Sequence, residues 1–82
     1  MKKEFKRYIT SIVLHTGHLY ANLLALCKIL GMPLSIAKPL AKAKPSEEIK
    51  LCPYFEIKSK LSTDDIKAAL DEYEIEITVI NQ

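Results

Sequence analysis

The chain is short of the residues that announce chemistry. Its 82 residues hold two cysteines and two histidines. Cys27 and Cys52 lie far apart and form none of the close pairs that mark a zinc or redox motif. In a reducing compartment they read as two thiols. A long hydrophobic run is also missing. The longest, from Leu19 to Leu30, contains Asn22 and Lys28 and is too short to span a bilayer. The N-terminal "MKKEFKRYITSIVL" begins basic, but Glu4, Lys6 and Arg7 interrupt it and no small-residue cleavage site follows. These absences favour a cytosolic chain with no membrane contact. The net charge of +2 is too small for a dedicated nucleic-acid binder.

What is present is a compact, foldable composition. Half of the residues are hydrophobic (49%), which argues against disorder. The length predicts a single domain over residues 1–82, and a domain this small is often completed by dimerisation. Charge is segregated along the chain. Residues 1–7 and residues 38–60 are basic, whereas residues 61–82 set Lys67 against Asp64, Asp65, Asp71, Glu72, Glu74 and Glu76. Such polarity suits head-to-tail association or docking on a charged partner.

Four segments read clearly. In "GHLYANLLALCKILG", Tyr20, Leu23, Leu24, Cys27 and Leu30 recur at helical spacing, Thr16 is placed as an N-cap and Gly31 as a stop. "STDDIKAALDEY" predicts a second helix, capped by Ser62 with Asp65 three residues on, and with Ile66, Ala69, Leu70 and Tyr73 as its buried stripe. "EIKLCPYFEIKSK" alternates, with Ile49, Leu51, Pro53, Phe55 and Ile57 on one side; Pro53 marks an edge or bulge. "IEITVI" predicts a strand with Ile75, Ile77 and Val79 on one face.

Two segments are ambiguous. "LSIAKPLAKAKPS" reads as a broken edge strand, because Pro39 and Pro45 bracket its short helix-forming stretch. Residues 5–14 fit either period: Phe5, Tyr8, Ile9, Ile12 and Val13 would share a helix face, yet "YITSIV" is dense in strand formers. With a strand there, the order is strand, helix, strand, strand, helix, strand. The expected fold is α+β: a ferredoxin-like βαββαβ sandwich, an antiparallel sheet with two helices on one face. The alternative is an N-terminal helical hairpin on a small sheet.

The stretch His15-Thr16-Gly17-His18 resembles the His-x-Gly-His signature of nucleotidyltransferases and class I aminoacyl-tRNA synthetases. The resemblance implies adenine approaching the glycine and phosphates meeting the histidines. The remainder of a mononucleotide-binding fold is missing, and turn chemistry explains the four residues. His15, His18, Cys27 and Cys52 have no spacing that predicts a metal site. Nothing around Cys52 implies a lowered pKa, and the acidic pairs of residues 64–72 read as helix surface. No catalytic, metal or cofactor residue is therefore assigned.

The layout also resembles the small-molecule-sensing ACT domains: a glycine in the first strand–helix turn, a second strand after the helix, and a closing "DEYEIEITVI" passage from helix to strand. The similarity is one of pattern, and no ligand-binding residue carries across.

The functional expectation is a small non-enzymatic module that binds a protein partner as a regulator, inhibitor or adaptor, of the kind viruses and plasmids encode. Lys50, Tyr54 and Lys58 should project together from one strand face, with Lys38, Lys42 and Lys44 beside them. An exposed tyrosine ringed by charge is typical of binding hot spots. RNA-binding domains of this plan stack bases on aromatics at that strand, which makes nucleic acid the alternative partner, although Glu56 would repel phosphate. An edge strand or the open sheet face could in addition join two copies as a homodimer.

Overall fold

The computed structural model describes residues 6–82. Six elements follow in the order β1 (Arg7–Leu14), α1 (Leu19–Ile29), α2 (Leu34–Ala41), β2 (Glu48–Ile57), α3 (Thr63–Asp71) and β3 (Ile75–Asn81). The strands form one antiparallel sheet in the order β2-β1-β3. The fold is thus a small α+β arrangement of three helices and a three-stranded antiparallel sheet.

Residues 7–14 are the central strand, and the structure explains their helical look. The pairing shifts register between Ile9 and Ser11 against both neighbours. The extra residue, Thr10, turns a period of two into a spacing of three. Ile9 and Ile12 therefore share one face, both fully buried, as they would on a helix.

The second expected strand does not form. Residues 34–41 are a helix, so the four-stranded ferredoxin-like plan lacks a strand, and the second strand of an ACT-like layout is lost with it. Pro33 ends the preceding turn and becomes the N-cap, its carbonyl accepting from the N–H groups of Ile36 and Ala37 at 3.0 and 2.9 Å. Ala37, Leu40 and Ala41, at helical spacing, are buried in the core. Pro39 lies inside this helix and has no N–H to donate, which leaves one turn bond unmade on the exposed carbonyl of Ser35. Core burial of three side chains outweighs that loss.

α1 follows its expected stripe only in part: Leu30 is buried and Leu23 and Cys27 pack against the core, but Tyr20 does not. Its buried residues are Asn22, Ala25 and Leu26, while Tyr20 is 77% exposed. Thr16 does not cap the helix; His18 occupies that position without a side-chain bond. Instead Thr16 is tied to Asn22. The Asn22 Nδ2 donates to the Thr16 carbonyl at 3.0 Å, and the Thr16 hydroxyl donates to Asn22 Oδ1 at 3.4 Å. The helix ends as the sequence suggests: Gly31 takes a φ of 67°, and Met32 N–H returns to the Leu26 carbonyl.

α3 and β3 match their sequence signals. Ser62 Oγ accepts from Asp65 N–H at 3.1 Å, and Ile66 and Leu70 are fully buried. Ile75 and Ile77 face the core and Val79 packs against it. Arg7 locks the loop before α3, donating to the carbonyls of Ser59 and Leu61 at 2.8 Å each and to Thr63 Oγ1 at 3.2 Å.

One apolar cluster joins Ile9, Ile12, Leu14, Ile57, Ile75 and Ile77 of the sheet to buried residues of all three helices. By register, the opposite sheet face carries the rows Glu56–Tyr8–Ile80, Lys50–Ser11–Thr78 and Glu48–Val13–Glu76. No helix among the described residues is long and apolar enough to cross a membrane.

Candidate functional site

β2 is an edge strand, and its middle departs from the sheet. Ile9 pairs with Phe55 and Ser11 with Lys50, so Leu51, Cys52, Pro53 and Tyr54 stand opposite Thr10 alone. Of these four, Leu51 packs against the core while Cys52, Pro53 and Tyr54 are exposed, with a cis peptide between Cys52 and Pro53. Alternation survives on either side, since Ile49, Phe55 and Ile57 face the core side. Pro53, expected to point inward with them, is exposed.

The bulge lies beside α2. Between them is an apolar groove of about 330 Å³, walled by Ile36, Pro39 and Leu40 on one side and by Pro53, Tyr54 and Phe55 on the other. A second hollow continues from it past Ile36 and Phe55 to Pro33 and Lys58. A third opens on the uncovered sheet face, between Lys50, Leu51, Tyr54 and Thr78. Tyr54 borders both the groove and the sheet-face hollow. It is 50% exposed and Ile36 44%, so this corner sets two large apolar side chains in water.

Lys50 and Tyr54 line the same hollow. Lys58 follows the end of β2 and lines the hollow with Ile36 and Phe55 instead, so the three do not share one patch. Lys38 and Lys42 are four residues apart on α2 and its C-cap, and Lys44 follows in the turn; all three are exposed. Among the described residues the one ion pair is His15–Glu76, which leaves these lysines free of carboxylate partners. The contribution of Ile36 and Pro39 was not visible in the sequence, because it arises only when residues 34–41 become a helix beside β2. Pro53 within an alternating run was the one local sign of the bulge.

Acidic groups lie among these lysines as well as apart from them: Glu48 lines the hollow with Lys50 and Tyr54, and Glu56 the hollow with Lys58. Asp64, Asp71 and Glu72 belong to α3 and its C-cap, and Glu76 to β3. β2 itself carries Glu48 and Glu56 against Lys50, so the charge segregation of the sequence does not become a polarity between the two sheet edges.

The His-x-Gly-His stretch is divided by the turn it makes. His15 bonds through Nδ1 to the Ser46 hydroxyl at 3.0 Å and through Nε2 to Glu76 Oε2 at 2.5 Å. Its N–H donates to the Glu74 carbonyl. His18 is exposed at the start of α1. A Cβ on Gly17 would meet only Pro45 Cγ, at an ordinary 3.6 Å. The residues tie a corner together, with His15 linking the β2 approach to β3. Among the described residues, no three His, Cys, Asp or Glu side chains are grouped to hold a metal ion.

Comparison with protein-family models, with curated proteins and with solved structures gives no match.

Proposed function

We propose that the chain is a small non-enzymatic protein-binding module that acts as a regulator, inhibitor or adaptor by occupying a partner's surface through the α2–β2 corner. The observation that carries this reading is Tyr54, half-exposed on the ridge between an apolar groove and a lysine-bearing hollow. Tyrosine offers large contact area with little rotamer entropy and a hydroxyl for the wet rim. Lys50 and Lys58 flank the apolar surface together with Glu48 and Glu56, so the fitting partner presents an apolar side chain within a rim of mixed charge.

The test is affinity capture from native lysate with and without nuclease, wild type against Tyr54→Ala. A stoichiometric protein that survives nuclease and is lost with Tyr54→Ala is expected. A hot-spot loss of about 2 kcal/mol weakens binding roughly 30-fold. Recovery of nucleic acid alone would overturn the reading. The exposed lysines at 38, 42, 44, 50 and 58, with no carboxylate partner among the described residues, support nucleic acid as the second reading. It predicts an affinity that falls steeply with salt and is abolished by Lys42→Glu or Lys50→Glu.

A further inference from the structure

The two sheet edges are built differently. The β2 edge carries Pro53, a four-residue bulge, and Lys50 and Lys58 at its flanks, which are devices that keep strands from pairing. β3 has none of them. Its sequence "IEITVIN" is rich in branched residues, with no proline, no lysine and one charge, Glu76. Among the described residues it pairs only with β1.

The hydrogen bonds at its two ends fix which groups are free. Lys6 and Gln82 exchange both main-chain bonds, and His15 N–H donates to the Glu74 carbonyl. By alternation, Glu74, Glu76, Thr78, Ile80 and Gln82 turn their N–H and C=O groups toward β1. Those of Ile75, Ile77, Val79 and Asn81 face outward. Beside them runs an open groove of about 400 Å³ between α3 and the strand, lined by Lys67, Ala68, Asp71, Ile75 and Ile77.

We propose that this edge pairs with the same edge of a second copy, antiparallel about a two-fold axis at Thr78, giving a continuous six-stranded sheet. In that register Ile75 faces the partner's Asn81 and Ile77 the partner's Val79, so all four outward residues exchange main-chain bonds. Nothing is left unpaired, and the arrangement closes as a dimer. Thr78 meets its own copy across the axis. Glu76 lies opposite the partner's Ile80, and the two Glu76 residues stand about 13 Å apart at ~3.4 Å per residue. Charge favours the same arrangement. The strand's first end is acidic, with Asp71, Glu72, Glu74 and Glu76, while its far end lies beside Lys6. The two-fold sets each acidic end against the other copy's basic end. The partner's Asn81 amide enters the α3 groove between Lys67 and Asp71, a polar group meeting a polar rim. The proposal goes beyond partner binding at the α2–β2 corner and leaves both corners free at the outer ends of the dimer.

Sedimentation or light scattering on the whole chain reads the mass, and a Cys27→Ser/Cys52→Ser background carries the cross-linking test. Non-hydrogen-bonded antiparallel pairs have Cα atoms about 4.5 Å apart, within disulfide reach. Thr78→Cys in that background is expected to form a covalent dimer under mild oxidation, whereas Glu76→Cys is not. Thr78→Lys, which opposes two cations across the axis, should weaken dimerisation at least tenfold with the circular dichroism spectrum unchanged. A wild-type chain that stays monomeric at NMR concentrations overturns the proposal. So does a dimer that Thr78→Lys leaves intact, or that Thr78→Cys fails to cross-link. None of these outcomes bears on Tyr54.

Discussion

Asn22→Ala and Tyr20→Ala test the orientation of α1. Apolar patterning places Tyr20 inside and Asn22 out, whereas the structure leaves Tyr20 77% exposed and Asn22 1% exposed. Truncating Asn22 removes two bonds with Thr16, at 3.0 and 3.4 Å, and leaves the Thr16 carbonyl without that donor. Each bond is worth about 1 kcal/mol net, and a lost partner in a buried site adds to that. Alanine returns roughly 0.6 kcal/mol through helix propensity. The expected destabilisation is about 2 kcal/mol. For a domain of this size that lowers Tm by roughly 8–16 °C. Tyr20→Ala touches a side chain mostly in water and should stay within about 0.5 kcal/mol. Thermal and urea unfolding of the two variants at one protein concentration gives the comparison. If Tyr20→Ala costs more than Asn22→Ala, the helix is rotated from the position described and the reasoning fails.

Gly31→Ala and Gly17→Ala should separate a required glycine from a permitted one. Gly31 has a φ of 67° with open space where a Cβ would lie, so its substitution costs about 1 kcal/mol of backbone strain alone. Gly17→Ala, with no positive φ and only the Pro45 contact, should be neutral or stabilising by up to about 1 kcal/mol in chemical denaturation. Arg7→Lys replaces a planar fork by a point charge and cannot keep three acceptors on Ser59, Leu61 and Thr63; a loss of about 1–2 kcal/mol is expected in the same assay. Ser62→Ala removes the α3 cap and should cost about 1 kcal/mol, with fraying of residues 63–66 visible as faster amide exchange.

The elements legible in the sequence are those whose local signals and burial agree. α3 has a cap, acidic first-turn residues and an apolar stripe, and β3 has clean alternation. The others fail for distinct physical reasons. In β1 a bulge at Thr10 imitates helical spacing. In 34–41 the prolines argue against a helix locally, yet burial of Ala37, Leu40 and Ala41 decides. In α1 nearly every residue is apolar, so periodicity carries little phase information, and the buried position goes to an asparagine with two local bonds. Lys50 and Tyr54 line one hollow although residues 51–54 interrupt the alternation that groups them in the sequence. The apolar half of the corner was not readable, since Ile36 and Pro39 reach it only through tertiary docking of α2.

The remaining surface narrows where contacts can form. The uncovered sheet face is crossed by Glu48, Glu56, Glu76 and Lys50, with Ser11 bonded to Thr78 at its centre. Covering that face would desolvate four charges for the sake of Tyr8, Val13 and Ile80, a poor exchange because charged groups leave water at high cost. Two regions are short of contacts, and they lack different things. The α2–β2 corner lacks apolar neighbours while its backbone is disrupted by Pro53 and the bulge. The β3 edge lacks hydrogen-bond partners while its Ile75, Ile77 and Val79 already face the core. An apolar side chain satisfies the first and an extended strand the second, and neither occupant fits the other place. The two proposals therefore call for different occupants: a partner's side chain at one edge of the sheet, and a strand of a second copy at the other.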